Sequence, residues 1–263
     1  MIRICVAGGD GRMDYAARAL QKEGYDVIRV CDALPGRVDA LVLPVRCSMD
    51  GVCVSGTSIA LEQVAALQKS GACVIGGMLP KEFEGAFDYM KNEAFLYENA
   101  RITAEGAAVL LAQSANVTLY GSEIAVIGMG RIAECLCLIL HAMGARVSVY
   151  ARRREALARA RAMGAETVCF SDALPESVVQ AHDAVCNTVP HRLFDAKLLS
   201  LAHRELQLLE LASLPGGFDA DAAARLGLHV IDGQGIPGKY APRTAGELIA
   251  AYTKDALRGE ITP

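Results

Sequence analysis

A glycine turn and a cluster of arginines are the residues best suited to chemistry in this chain. Gly128-Met129-Gly130-Arg131-Ile132-Ala133 follows the apolar run Ile124-Ala125-Val126-Ile127. A second run, Arg146 to Tyr150, leads into Ala151-Arg152-Arg153-Arg154. Gly128 permits a tight strand-to-helix turn, and Gly130 has no side chain to block a pyrophosphate approaching the backbone. Ala133 is small enough for the helix to pack on a sheet. The first N–H groups of that helix, around Arg131 and Ile132, then face the phosphate charge. In a site for NAD, an acidic residue about 20 positions further on holds the ribose 2′-hydroxyl. Arginines stand at that place here, with no carboxylate. A carboxylate would repel a 2′-phosphate, whereas a guanidinium pairs with it through two parallel hydrogen bonds. The expected ligand is therefore NADP(H), read by Arg152 and Arg153, with Arg154 less well placed. Asn187 and Thr188 close another apolar run and stand where ribose or nicotinamide would be touched.

The elements that position these residues alternate between strand and helix, which implies parallel sheets. The spacing predicts a helix over Arg131 to Met143, stopped by Gly144, then a strand over Arg146 to Tyr150. Further strands are expected at Glu166 to Cys169, Ala184 to Asn187, Gln207 to Leu211 and His229 to Ile231. In the first half, strands at Ile2 to Val6, Val27 to Val30, Ala40 to Leu43 and Ala72 to Ile75 join helices at Met13 to Glu23 and Ile59 to Lys69. A helix is expected to start near Thr103-Ala104-Glu105, with Thr103 as its cap. The fold class is thus α/β, with two doubly wound, Rossmann-like parallel-sheet domains and a cleft between them. The first domain would span 1–100, with a final helix within 240–260 packing back on it. The cofactor domain would span 101–239.

Composition excludes several function classes. The chain has 263 residues, 52% of them apolar, and a net charge of −4. It lacks basic tracts, which argues against nucleic acid. No apolar run is long enough to span a bilayer, and the first residues read as a strand and not a signal peptide. The nine cysteines are scattered, without a Cys-x-x-Cys pair or a histidine at metal-ligand spacing. They read as small hydrophobes in a reducing cytoplasm, so no metal is expected. His191 has no obvious acidic orienter and reads as surface or packing.

Segments spread over nearly the whole chain resemble the family of the dipicolinate synthase A subunit. They are Gly8-Gly9-Asp10 with Arg12, Leu43-Pro44-Val45, Thr103-Ala104-Glu105-Gly106, Tyr120-Gly121-Ser122, Gly128-Met129-Gly130-Arg131 and Asn187-Thr188-Val189-Pro190. Leu211-Ala212-Ser213 with Pro215-Gly216-Gly217, Gly235-Ile236-Pro237-Gly238-Lys239 and Ala241-Pro242-Arg243-Thr244-Ala245-Gly246 complete the set. The family usually carries a basic residue before the Pro-Gly-Gly turn, where this chain has Leu214. The resemblance implies an NADP-linked oxidation of dihydrodipicolinate to dipicolinate, pyridine-2,6-dicarboxylate. It also implies a partner, the flavoprotein-like B subunit, and the chain is expected to act as a homo-oligomer.

A small cyclic dicarboxylate needs two anchors and a proton acceptor, and loops at the carboxyl ends of the strands are where substrate sits in such folds. Arg12, at the head of a helix, and Lys239, in a glycine-proline turn, are the candidate anchors, with Arg46 and Arg243 as weaker ones, and Ser213 is a further substrate contact. Glu105, expected in a first helical turn where the dipole keeps it ionised, is a candidate proton acceptor, and Asp10 is its competitor. Two other functions remain open. One is a 2-hydroxyacid dehydrogenase, whose chemistry wants a histidine paired with a carboxylate; Ser213 to Phe218 contains no histidine. The other is a non-catalytic NADP-binding subunit.

Overall fold

The computed structural model describes residues 1–114 and 118–260. The chain divides into two compact units. The first comprises Met1–Asn99 with the stretch from Pro237 onward, and the second Ala100–Ile236.

In the first unit the order is β1 (Arg3–Ala7), α1 (Gly11–Lys22), β2 (Asp26–Val30), β3 (Ala40–Val42), α2 (Leu61–Lys69), β4 (Cys73–Gly76) and β5 (Phe87–Asp88). The sheet order is β2-β1-β3-β4-β5, with every pairing parallel. The chain order reverses between β1 and β3, so the loops after those two strands flank the switch point. A single 3₁₀ turn, Tyr89–Lys91, leads into α3 (Glu93–Ser114), which runs from one unit into the other.

The second unit contains β6 (Glu123–Ile127), α4 (Arg131–Ala142), β7 (Arg146–Ala151), α5 (Arg154–Ala162), β8 (Glu166–Cys169), α6 (Ser177–Gln180) and β9 (Ala184–Asn187). It continues with α7 (Ala196–Leu199), β10 (Gln207–Glu210), α8 (Ala220–Arg225) and β11 (Val230–Asp232). Its sheet is also parallel throughout, in the order β11-β10-β9-β6-β7-β8. Counted from β6, that is the 3-2-1-4-5-6 order of dinucleotide-binding sheets, with the switch point between β6 and β9. The short helix α9 (Ile236–Tyr240) and α10 (Pro242–Arg258) end the described chain.

Local sequence explains these elements. β6 is apolar on both faces, and Ile124 to Ile127 are fully buried, as expected for a central parallel strand. Helices α1 and α4 bury the same spacing of small and aliphatic residues. In α1 these are Met13, Ala16, Ala17 and Leu20, and in α4 Ala133, Leu136, Cys137 and Leu140. Such an i, i+3, i+4, i+7 stripe is the face a helix lays on a sheet. Helix α10 repeats it with Ala245, Leu248, Ile249 and Tyr252, and Gly246 lets it approach the α1 backbone closely.

Two expectations need correction. α3 begins at Glu93, not near Thr103, so Thr103 is a buried mid-helix residue and no cap. Asn92 supplies the cap, its Oδ1 accepting from the Phe95 N–H at 3.0 Å. The early start is held by packing: Phe95 stacks on Tyr89 with ring centroids 4.9 Å apart and meets the edge of Tyr252 at 5.3 Å. Lys239 is likewise in the short helix α9 and not in a glycine-proline turn.

Candidate active site

The second unit gathers its candidate residues at the carboxyl ends of four adjacent strands. Ile127 at the end of β6 pairs with Tyr150 of β7 on one side and Asn187 of β9 on the other, and Asn187 pairs with Glu210 of β10. Gly128 turns the chain out of β6 at φ 93°, a left-handed conformation that favours glycine. Its N–H donates to the Tyr150 carbonyl at 2.8 Å. A Cβ there would lie 2.7 Å from Thr188 Oγ1 and 2.9 Å from Val189 Cγ2, so close packing also demands glycine.

Gly130 is the N-cap of α4 and offers no side chain to the first-turn amides. Its backbone, at φ −95°, would accept other residues, and a Cβ there would meet nothing within 4 Å. Open space thus stands beside a helix start whose N-cap residue supplies no capping side chain, an arrangement suited to an anionic group. Arg131 is exposed and Ile132 half-buried at the same helix start, while Ala133 is fully buried against the sheet. Arg159 of α5 was missed by sequence reasoning. Its Nη2 donates to the Met129 carbonyl at 2.9 Å and its Nε to Glu134 at 2.9 Å, bracing the turn from the neighbouring helix.

Arg152, Arg153 and Arg154 follow β7, with Arg153 as the N-cap of α5. All three are exposed, and among the described residues none of their guanidiniums has an ion-pair or hydrogen-bond partner. Three neighbouring cations without counter-charges repel one another, and a bound phosphate would relieve that repulsion.

At the ends of β9 and β10 the side chains turn inward. Asn187 is fully buried. Its Nδ2 donates to Val189 O at 3.0 Å and Glu210 Oε1 at 2.7 Å, and its Oδ1 accepts from Val189 N. The carboxamide is consumed by the protein. Thr188 Oγ1 donates to the Ile127 carbonyl at 2.7 Å, so this hydroxyl ties β9 to β6. Ser213 is exposed in the loop that follows β10, next to the tip residue Leu214, which is 74% exposed. Glu210, at 8% exposure, is the second residue that sequence reasoning missed. The available signal was a lone acid inside the apolar run Gln207-Leu208-Leu209-Glu210-Leu211, since buried acids are rare without partners.

The first unit groups Asp10, Arg12 and the Lys239 segment. Asp10 caps α1, accepting from the Arg12 N–H at 3.0 Å. The Arg12 side chain folds back on the same carboxylate, with Nε at 2.8 Å from Oδ1 and Nη2 at 2.8 Å from Oδ2. Burial pushes the Asp10 carboxyl upward, but the hydrogen bonds and charge of Arg12 outweigh it and hold the group below the ordinary carboxylate range. Gly238, the chain neighbour of Lys239, lies against this pair. Arg46 is exposed after β3, and Arg243 is paired with Glu247 at 2.9 Å on α10. Glu105 is exposed in the middle of α3. It is not in a first helical turn, so the dipole argument for its ionisation does not apply.

The comparisons with known proteins agree with this architecture. Residues 86–213 match the NAD-binding domain of the D-isomer-specific 2-hydroxyacid dehydrogenases. The chain is 31% identical to the A subunit of dipicolinate synthase from Bacillus subtilis (strain 168) over 280 residues, covering 95% of this chain and 93% of that protein. The chain belongs to the family of the dipicolinate synthase A subunit. The crystal structure of the A subunit of dipicolinate synthase from Bacillus halodurans superimposes with a TM-score of 0.82 at 26% identity, covering 97% of each chain. That of its Bacillus subtilis counterpart gives 0.81 at 25% identity, covering 98% of this chain and 96% of that one. The distributed motifs thus pointed to the family that is found. Within this family, the chain is a dehydrogenase-like subunit with a dinucleotide-binding domain. No described helix is long and apolar enough to cross a membrane.

Proposed function

We propose that this chain oxidises dihydrodipicolinate to dipicolinate with NADP⁺, as the A subunit beside a flavoprotein-like B subunit. The observation that carries the cofactor reading is the exposed Arg152-Arg153-Arg154 cluster after β7, the strand paired with β6, whose following helix starts at the glycine N-cap Gly130. The family membership supports the substrate.

In this reading the amides at the start of α4 hold the pyrophosphate and Arg152 and Arg153 pair with the 2′-phosphate. When bound, NADP⁺ supplies the hydride acceptor. Arg12 and Lys239 anchor the two ring carboxylates, and Arg12 does so with the nitrogen it does not spend on Asp10. Ser213 is a further substrate contact in this reading, and Thr188 shapes the nicotinamide end of the turn. Oxidation also releases a proton, which Asp10 or Glu105 accepts. Asp10 is in direct contact with the candidate anchor Arg12, which favours Asp10. All nine cysteines are free thiols, which supports a cytoplasmic setting. Action as a homo-oligomer is part of the same proposal.

The test incubates the purified chain with NADP⁺ and dihydrodipicolinate generated in place, and follows the ultraviolet absorbance of dipicolinate. Product from the chain alone supports an enzyme. Product only with the flavoprotein-like partner assigns the chemistry to the complex and leaves this chain as its cofactor-binding part. Turnover of simple 2-hydroxy acids, with none of dihydrodipicolinate, overturns the substrate reading. For the cofactor, Arg152→Glu with Arg153→Glu weakens NADP⁺ binding far more than NAD⁺ binding. Equal weakening of both would show that these arginines do not read the 2′-phosphate.

A further inference from the structure

The loop carrying Ser213 is fastened at both ends by a single buried carboxylate. It leaves β10 at Leu211, reaches an exposed tip at Ser213-Leu214-Pro215, and returns through Gly216 and Gly217 to Phe218. On the way out, Glu210 Oε1 accepts from the Ala212 N–H at 3.0 Å. On the way back, Oε2 accepts from the Gly217 N–H at 2.6 Å and, more weakly, the Phe218 N–H at 3.4 Å. Oε1 also accepts from Asn187 Nδ2 at 2.7 Å.

No cation takes part in this set. The charge is balanced by backbone and carboxamide dipoles, which a buried carboxylate tolerates only when both oxygens are satisfied. Gly217 contributes through its lack of a side chain, because a Cβ there would overlap the Asn187 carboxamide. Its carbonyl accepts from the N–H groups of Leu193 and Phe194, each at 3.0 Å, which anchors the returning strand of the loop. Asn187 in turn adjoins Thr188, whose hydroxyl holds the end of β6 just before the Gly128 turn. Hydrogen bonds and the Asn187-Thr188 peptide link therefore connect the dinucleotide turn to the Ser213 loop, with Glu210 at the loop end.

We infer that Glu210 is a positioning residue for the reaction, holding the Ser213 loop at the nicotinamide end of the crevice without itself touching a ligand. The inference rests on the proposed dehydrogenation and adds a residue that acts through the loop. Geometry makes a sharp chemical demand at this position. All four partners are donors, so both side-chain oxygens must be acceptors. Glutamine has the same size, but its NH₂ would face two donors whichever way the amide is turned.

Glu210→Gln is therefore the test. The variant is expected to fold and to bind NADP⁺ within threefold of the parent, because the Gly128 turn and the arginines are untouched. Its kcat for dicarboxylate oxidation falls at least tenfold, and amide hydrogen exchange across 211–218 accelerates at least tenfold while 124–136 is unchanged. Parallel losses of thermal midpoint, cofactor affinity and kcat would overturn the inference by making the role generally structural. Unchanged exchange at 211–218 would overturn it as well. If Glu210→Gln does not fold, Asn187→Ser removes one donor and keeps the three backbone amides. The same measurements then apply, and the same results support or overturn the inference. The exchange measurement needs no turnover. An inert parent protein would sink the proposed reaction, and the exchange result would still decide whether Glu210 clasps the loop.

Discussion

The first turn of each unit starts from a similar sequence and ends in a different chemical state. Both are strand–glycine–helix turns at a switch point, Gly8-Gly9-Asp10 after β1 and Gly128-Met129-Gly130 after β6. In the first unit the chain answers its own donors. The Gly9 N–H donates to the Ser55 carbonyl at 2.7 Å, and Asp10 caps α1 with a carboxylate that also holds Arg12. In the second unit the N-cap is Gly130, which has no side chain to cap α4. A helix start becomes an anion site only when the protein leaves it uncapped. One residue at the N-cap separates a self-satisfied turn from a receptive one.

The most forceful way to break this comparison is to give the second turn the cap of the first. Gly130→Asp places a carboxylate over the α4 amides, at a φ of −95° that strains no residue. NADP⁺ affinity is expected to fall at least about 100-fold, roughly 2.7 kcal/mol. Thermal stability is expected to hold or rise, because the new cap satisfies donors. Calorimetric titration together with thermal unfolding checks both halves, and undiminished affinity would show that this helix start holds no phosphate.

The converse change is smaller. Asp10→Ala removes the cap of α1 and the partner of Arg12, and about 1–2 kcal/mol of stability should be lost at pH 7 in urea unfolding. Asp10→Asn keeps a capping oxygen and removes only the charge. Its cost should stay below about 1 kcal/mol, because the pair is partly exposed and screened. The folded Asp10 carboxyl is held below its ordinary value, so its contribution is present above the ordinary carboxylate pKa and lost as pH falls through the folded one. Parent and Asp10→Asn curves should therefore converge in acid. A gap that persists there would assign the effect to packing.

Acid should also separate the two units. His182 is buried, edge-on to the Tyr150 ring at 5.7 Å, and burial holds its pKa below the ordinary imidazole value. The folded imidazole stays neutral while the unfolded one takes up a proton, so stability falls as pH drops below about 6.5 and levels off below the folded value. His182→Gln should flatten the difference between urea midpoints at pH 7 and pH 5. An unchanged difference would place the acid sensitivity elsewhere.

Local signals were the legible ones. Strand β8 at Glu166–Cys169 and strand β9 at Ala184–Asn187 follow from short apolar runs between turn residues, and α4 follows from a stripe bounded by two glycines. The dinucleotide turn was readable because its glycines, its small Ala133 and the arginines after β7 carry their meaning within one βαβ unit. The start of α3 was not, although Asn92 was in plain sight. Its first turns are held by Phe95 against Tyr89 and Tyr252, and Tyr252 comes from the far end of the chain.

The order of residues by itself determined the alternation of strands and helices, the family, and the open glycine cap with cations beyond the next strand. Each depends on groups that are neighbours along the backbone or one crossover apart. Only the tertiary structure decided that Asn187 faces inward, that Arg159 braces Met129, and that Glu210 clasps the Ser213 loop. Those bonds join residues two to 30 positions apart whose meeting depends on which strands pair and in what register. Hydrogen bonds select partners at about 3 Å, and the chain brings such groups together only after the sheet has formed.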